Sequence, residues 1–160
     1  MFDKFGEFDS AEEMNIAARA QLEEGDTEAV FAIAKENGID KEDAQDFIDG
    51  AVDDLATPLM AAYGKLDIEA AELKPYEIMN DWLTYIRVCS SGNPHMAAAV
   101  RKKGKSLKGC IGELLKWSFK NQHEVDKDIL KAAGVSGRCT LGIPGMGRAK
   151  QIITEYYLRK

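Results

Sequence analysis

No run of about 18 apolar residues occurs in this chain, so no segment reads as a membrane-spanning helix. The opening MFDKFGEFDS is acidic and lacks a basic region followed by an apolar stretch, so it does not read as a secretory leader. Cysteine is scarce. Cys89, Cys110 and Cys139 are odd in number and lack C-x-x-C spacing, which argues against a disulfide frame and for buried or free thiols in a reducing cytoplasm. Histidine is scarcer still. His95 and His123 sit in no helical pair and near no cysteine at metal-ligand spacing, and are expected at a helix start and a helix end. No repeat and no low-complexity tract occurs. These absences leave little for catalysis, and the expectation is a non-enzymatic cytoplasmic protein without cofactor or metal.

What is abundant is charge, and it is unevenly placed. Residues 1–80 hold 21 Asp+Glu against 6 Lys+Arg, and residues 81–160 hold 6 against 15. The balances of −15 and +9 make up the overall −6, which a single net charge conceals. Each half sets up its own field and attracts partners of the opposite sign.

The pattern along the chain predicts a mainly α fold of multi-helix small domains, with at most one or two short strands near residues 138–143. Ser10-x-x-Glu13 reads as a capping box for a helix stopped by Gly25. Asp26 or Thr27 caps the next helix, and Asp40 a third that runs to Thr57-Pro58. Pro58 and Pro75 open two more. SSGNP at 90–94 reads as a loop, and Pro94 begins the following helix. Ser106 caps a helix with Leu107, Cys110, Ile111, Leu114 and Leu115 in an apolar stripe. A short helix spans about 125–133, Arg138–Ile143 reads as a strand, and a last helix begins near Gly147. The charge change places the domains at 1–74 (acidic) and 94–160 (basic), with a boundary helix and loop at 75–93.

In the third helix, Glu42, Asp46, Asp49 and Asp53 fall within roughly 60° of one another. They would form a carboxylate ridge of about 16 Å, with Ala44, Phe47, Ile48, Ala51, Val52 and Leu55 opposite. Such a row is either the solvated face of an amphipathic helix or an imitation of a phosphate backbone that occupies a basic groove. In the basic half, Arg101, Lys102, Lys103, Lys105 and Lys108 lie within eight residues at a helix junction. They can neutralise phosphates, dock on the acidic half, or face solvent. GIPGMGRAKQII at 142–153 is a glycine-rich turn feeding a helix start, where amides, Arg148 and Lys150 suit a phosphate; the alternative is a structural turn. It is no nucleotide-hydrolysing P-loop, because Arg148 and Ala149 replace the lysine and the hydroxyl residue.

KKGKSLKGCIGELLKWSFKN followed by GRCTLGIPGMGRAKQIITEYY resembles the end of PcfK-like proteins, through Gly137, Cys139, Leu141, Gly147, Ile152, Ile153, Tyr156 and Tyr157. MFDKFGEFDSAEEMNIAA and the segment that follows resemble openings of small proteins carried by phages and conjugative elements. Relatives of the PcfK-like group include anti-CRISPR proteins. The resemblance implies a non-enzymatic inhibitor, acting in a bacterial host cell, that binds a type II RNA-guided nuclease with its guide RNA and blocks DNA binding or cleavage. Glu42, Asp46, Asp49 and Asp53 are the expected contact ridge. The alternative is a DNA-binding accessory of a mobile element that uses Arg101, Lys102, Lys103, Lys105, Lys108, Arg148 and Lys150.

Overall fold

Local capping chemistry places most of the helix starts. Ser10 opens α1 (Ala11–Glu23) by accepting a hydrogen bond from the Glu13 N–H at 3.1 Å. The Glu13 carboxylate accepts in turn from the Asp9 N–H at 2.8 Å, a capping box shifted by one residue. Asp26 caps α2 (Thr27–Glu36), and Thr57, ahead of Pro58, caps α4 (Pro58–Leu73). Asn93 caps α6 (Pro94–Arg101), and Ser106 caps α7 (Leu107–Lys120). The remaining helices are α3 (Lys41–Ile48), α5 (Ile78–Gly92), α8 (Lys127–Ala132) and α9 (Met146–Leu158). This computed structural model describes residues 3–160; Met1 and Phe2, at the head of the expected leader-free opening, lie outside the described residues. Among the described residues the fold is mainly α, with one two-stranded antiparallel sheet.

Several boundaries differ from the sequence expectation, each for a local reason. The third helix does not reach Thr57. Gly50 takes φ 76°, its N–H bonds the Phe47 carbonyl, and the Ala51 N–H bonds the Asp46 carbonyl at 2.8 Å. That pair of bonds is the Schellman stop, which needs a left-handed residue that glycine supplies without steric cost. Pro75 does not open α5. Lys74 and Glu77 both have φ 49°, so the chain turns twice before the helix begins at Ile78. SSGNP is not a loop: α5 continues through Gly92 and only Asn93 separates it from α6. The Ser90 hydroxyl donates back to the Ile86 carbonyl at 2.8 Å, which removes the competition a serine usually offers the helix. The strand at 138–143 shrinks to β2 (Thr140–Leu141), which pairs with β1 (His123–Glu124) in the register His123–Leu141 and Glu124–Thr140. His123 is therefore a strand residue and not a helix end.

Among the described residues, two apolar clusters form the core. Met14, Ala18, Val30, Ile33, Ala34, Ala44, Phe47 and Leu55 pack α1, α2 and α3 together. Leu66, Trp82, Ile86, Met96, Val100, Leu107, Leu114, Ile153 and Tyr157 join α4, α5, α6, α7 and α9. Full burial of a side chain of this size contributes about 1.5–3 kcal/mol. α4 serves both clusters, with Ala61 in the first and Ala62 and Leu66 in the second. It can do so because it crosses the α2–α3 turn where glycine meets glycine. A Cβ at Gly64 would fall inside the van der Waals shell of the Asn37 carbonyl oxygen, and a Cβ at Gly38 would strike the Gly64 backbone.

Candidate functional site

The acidic face is built on α3 and the segment after it. Glu42 and Asp46 lie on the helix, Asp49 is its C-cap, and all are exposed. Asp49 accepts a hydrogen bond from the Gln45 amide at 2.9 Å. Asp53 is also exposed but lies beyond the Gly50 stop, in irregular chain. The straight 16 Å ridge is thus corrected to a helical row from Glu42 to Asp49, about 10 Å long, with Asp53 outside the helix. The same stop releases Ala51 and Val52, expected on the buried side; Val52 is 45% exposed, while Leu55 returns to the core. None of the four carboxylates has an ion-pair partner among the described residues.

Between the two clusters lies a knot of buried polar groups. Arg101, expected among the nucleic-acid contacts, is 1% exposed and points into the protein. Its Nε donates to the Phe8 carbonyl at 3.0 Å and its Nη2 to Asn37 Oδ1 at 2.6 Å, so it fastens the C-terminal elements to the N-terminal segment and α2. Burial lowers the Arg101 pKa, opposed by the nearby carboxylates of Glu7 and Glu69. Lys65, 1% exposed on α4, pairs with Glu7 at 2.8 Å and donates to the carbonyls of Lys102 at 2.8 Å and Lys105 at 2.7 Å. Glu69 accepts from the Leu107 N–H at 3.2 Å, and burial raises its pKa against the opposing pull of Lys65. Nothing in the sequence pattern set Lys65 and Glu69 apart from the other charges of the acidic half. An internal lysine therefore shapes the backbone of the basic junction.

That junction presents Lys102, Lys103 and Lys108 to solvent. Lys105 is held instead. Its ammonium donates to the carbonyls of Tyr156 at 2.7 Å and Arg159 at 3.1 Å, at the end of α9 where the helix dipole favours a cation. At the other end of α9, Gly145 is the N-cap with no side-chain bond to the helix start. Arg148 sits 5.9 Å from the Trp117 ring centroid and Lys150 5.4 Å from that of Tyr85. Ser106 donates its N–H to the Tyr156 hydroxyl at 2.9 Å, so α7 and α9 run antiparallel side by side. The two basic segments, separate in sequence, thereby occupy the two ends of one helix pair.

A groove of about 410 Å³ runs along that pair. It holds five cationic side chains, Lys105, Lys116, Lys120, Arg159 and Lys160, against two carboxylates, Glu113 and Glu155. Half-buried Trp117 and Tyr156 form part of its walls. Lys116 bonds Glu113 at 2.6 Å and so lowers the Glu113 pKa. On the other side of α7 lies an apolar groove of about 490 Å³, with Phe119 77% and Tyr76 66% exposed. Neither groove was visible as such in the sequence. The basic stripe of α7 was hidden inside an expected apolar helix, though Trp117 between Lys116 and Lys120 was the available signal.

No group of three His, Cys, Asp or Glu able to hold a metal ion occurs among the described residues. His95 and His123 are exposed and belong to no such group. Cys110 is fully buried, and burial pushes its thiol up to about 12. Cys89 and Cys139 are half-buried and free. No helix of the described residues is long and apolar enough to cross a membrane. Comparison with protein-family models, with curated proteins and with solved structures gives no match for the chain.

Proposed function

We propose that the chain is a non-enzymatic binding protein that sets its acidic face against a cationic, nucleic-acid-holding surface of a partner. The partner is the type II RNA-guided nuclease with its guide, and the consequence is loss of DNA binding or cleavage. The single observation behind this reading is that the −15 of the first half is not spent inside the fold. Glu42, Asp46, Asp49 and Asp53 are exposed and have no ion-pair partner among the described residues, whose ion pairs lie largely within each half, with Arg87–Asp67 at 2.5 Å crossing between them. Such a nuclease holds its heteroduplex in a positive channel, where an outward row of carboxylates competes for the same groups. The test is capture on guide-loaded nuclease together with a cleavage assay. Reversing the four carboxylates to lysine should slow association about tenfold or more, with a strong salt dependence. Capture that is absent at micromolar protein, or unchanged by the reversal, ends this reading.

A second reading, a DNA-binding accessory of a mobile element, is favoured by one separate observation. The antiparallel α7–α9 pair gathers Lys102, Lys103 and Lys108 at one end and Arg148 and Lys150 at the other. It requires a duplex gel shift at low salt that fades steeply as salt rises.

A further inference from the structure

The α7–α9 groove combines three features that the charge split alone does not explain. Its five cations exceed its two carboxylates by three. Two of the cations, Lys116 and Arg159, are tied only to exposed neighbours, Glu113 and Glu155, in ion pairs of small worth that a stronger anion displaces. Trp117 lines the groove, and Arg148, which is not part of the lining, sits 5.9 Å from the ring centroid. An aromatic platform beside exposed cations suits a base with its attached phosphate, because every base has a face to stack and every nucleotide carries a charge.

From this arrangement we infer that the groove binds a nucleotide or two of a single-stranded nucleic acid, with a base stacked on Trp117 and phosphates held by Lys116, Lys120 and Arg159. This rests on the second reading and narrows it from nucleic acid to single strands. A duplex keeps its base faces covered by neighbours and offers the groove only phosphates, whereas an open strand offers both. Lys105 does not take part as a free charge, since it is engaged with the end of α9 and lies 5.1 Å from the Tyr156 ring centroid. An acidic peptide satisfies the cations but leaves the indole unused.

The experiment is anisotropy of a labelled oligothymidylate of roughly 12 nucleotides, alongside a duplex of the same length, with Trp fluorescence read in parallel. Trp82 is 2% exposed and serves as the silent indole, so quenching on binding reports Trp117. The expected result is tighter binding of the single strand than of the duplex. Phosphate contacts from Lys116, Lys120 and Arg159 give a log–log salt slope of about −2 for single strands. Trp117→Phe should abolish the quenching and weaken binding several-fold, and Trp117→Ala roughly tenfold. Lys116→Glu combined with Lys120→Glu, both exposed positions, should weaken it further without loss of the thermal transition. The inference is overturned if duplex binds as tightly, if quenching survives in Trp117→Phe, or if polyglutamate at equal charge displaces the oligonucleotide. Duplex binding that depends on Arg148 and Lys150 without Trp117 quenching sinks this inference alone. Absence of any binding to either nucleic acid at about 50 mM salt sinks the second reading with it.

Discussion

Replacing Arg101 separates a structural cation from the surface cations beside it in sequence. Arg101→Ala removes two charge-assisted hydrogen bonds, to the Phe8 carbonyl and to Asn37 Oδ1. Each bond of this kind contributes about 1.5–3 kcal/mol, and the Asn37 side chain, itself fully buried, loses a partner. Part of that loss is offset because the guanidinium no longer has to be desolvated. Truncation of a buried charged partner costs about 3–5 kcal/mol in comparable sites. At about 2–4 °C per kcal/mol for a chain of this size, Tm should fall by roughly 6–20 °C. Lys102→Ala, Lys103→Ala and Lys108→Ala each alter an exposed side chain and should stay within about 0.5 kcal/mol. Urea unfolding followed by circular dichroism measures both sets. Arg101→Lys is the instructive intermediate, since a lysine keeps the charge but not the forked geometry that reaches both acceptors. If Arg101→Ala unfolds no more easily than Lys102→Ala, the buried knot does not fasten the halves and Arg101 reverts to a candidate contact.

Three other outcomes follow from the same structure. Gly64→Ala should destabilise by about 2 kcal/mol or more, because the new methyl strikes backbone rather than a movable side chain. Gly112→Ala, in α7 with open space around its Cα, should stabilise by about 0.5–1 kcal/mol, and equal signs in a thermal melt would contradict the α4 crossing. For Glu69, burial raises the carboxyl above its ordinary 4.5. A raised carboxyl favours the folded state below its unfolded value and loses that contribution as the pH climbs through the folded value. Glu69→Gln should therefore gain stability relative to the parent as the pH climbs above 4.5 toward neutrality, and a constant difference in urea melts over that climb would refute it. Finally, a thiol reagent near pH 8 should label Cys89 and Cys139 in the native protein and reach Cys110 only on unfolding, because burial holds that thiol near 12. Rapid modification of all three would show that α7 is not packed as described.

The amino-acid pattern carried the helices and most of their starts, because Ser10, Asp26, Thr57, Asn93 and Ser106 act on amides within three residues of themselves. It misjudged ends. The Asp49-Gly50 stop was readable as a C-cap, but the apolar spacing of Val52 and Leu55 continued past it and suggested one long helix. The α5 start was not readable, since two positive-φ non-glycine residues, Lys74 and Glu77, have no local signature. Of the site residues, Glu42, Asp46 and Asp49 keep the shared face expected of them, and Asp53 does not.

Charge segregation, helical class and the exposed carboxylates of α3 are consequences of composition and short-range spacing, and the sequence determines them by itself. Which charges reach a partner was decided only by tertiary structure. Arg101 and Lys65 look no different in sequence from Lys102 or Lys35, yet packing of α4 against α6 takes the first two out of water and gives them internal acceptors. Likewise the α7–α9 groove exists because two helices separated by 25 residues, which hold α8 and the two short strands, lie antiparallel, bringing Trp117, Lys120 and Arg159 to one surface. The physical reason is distance along the chain. Caps and periodicity act within a turn or two of helix, whereas burial and grooves depend on contacts across dozens of residues, which only the folded chain supplies.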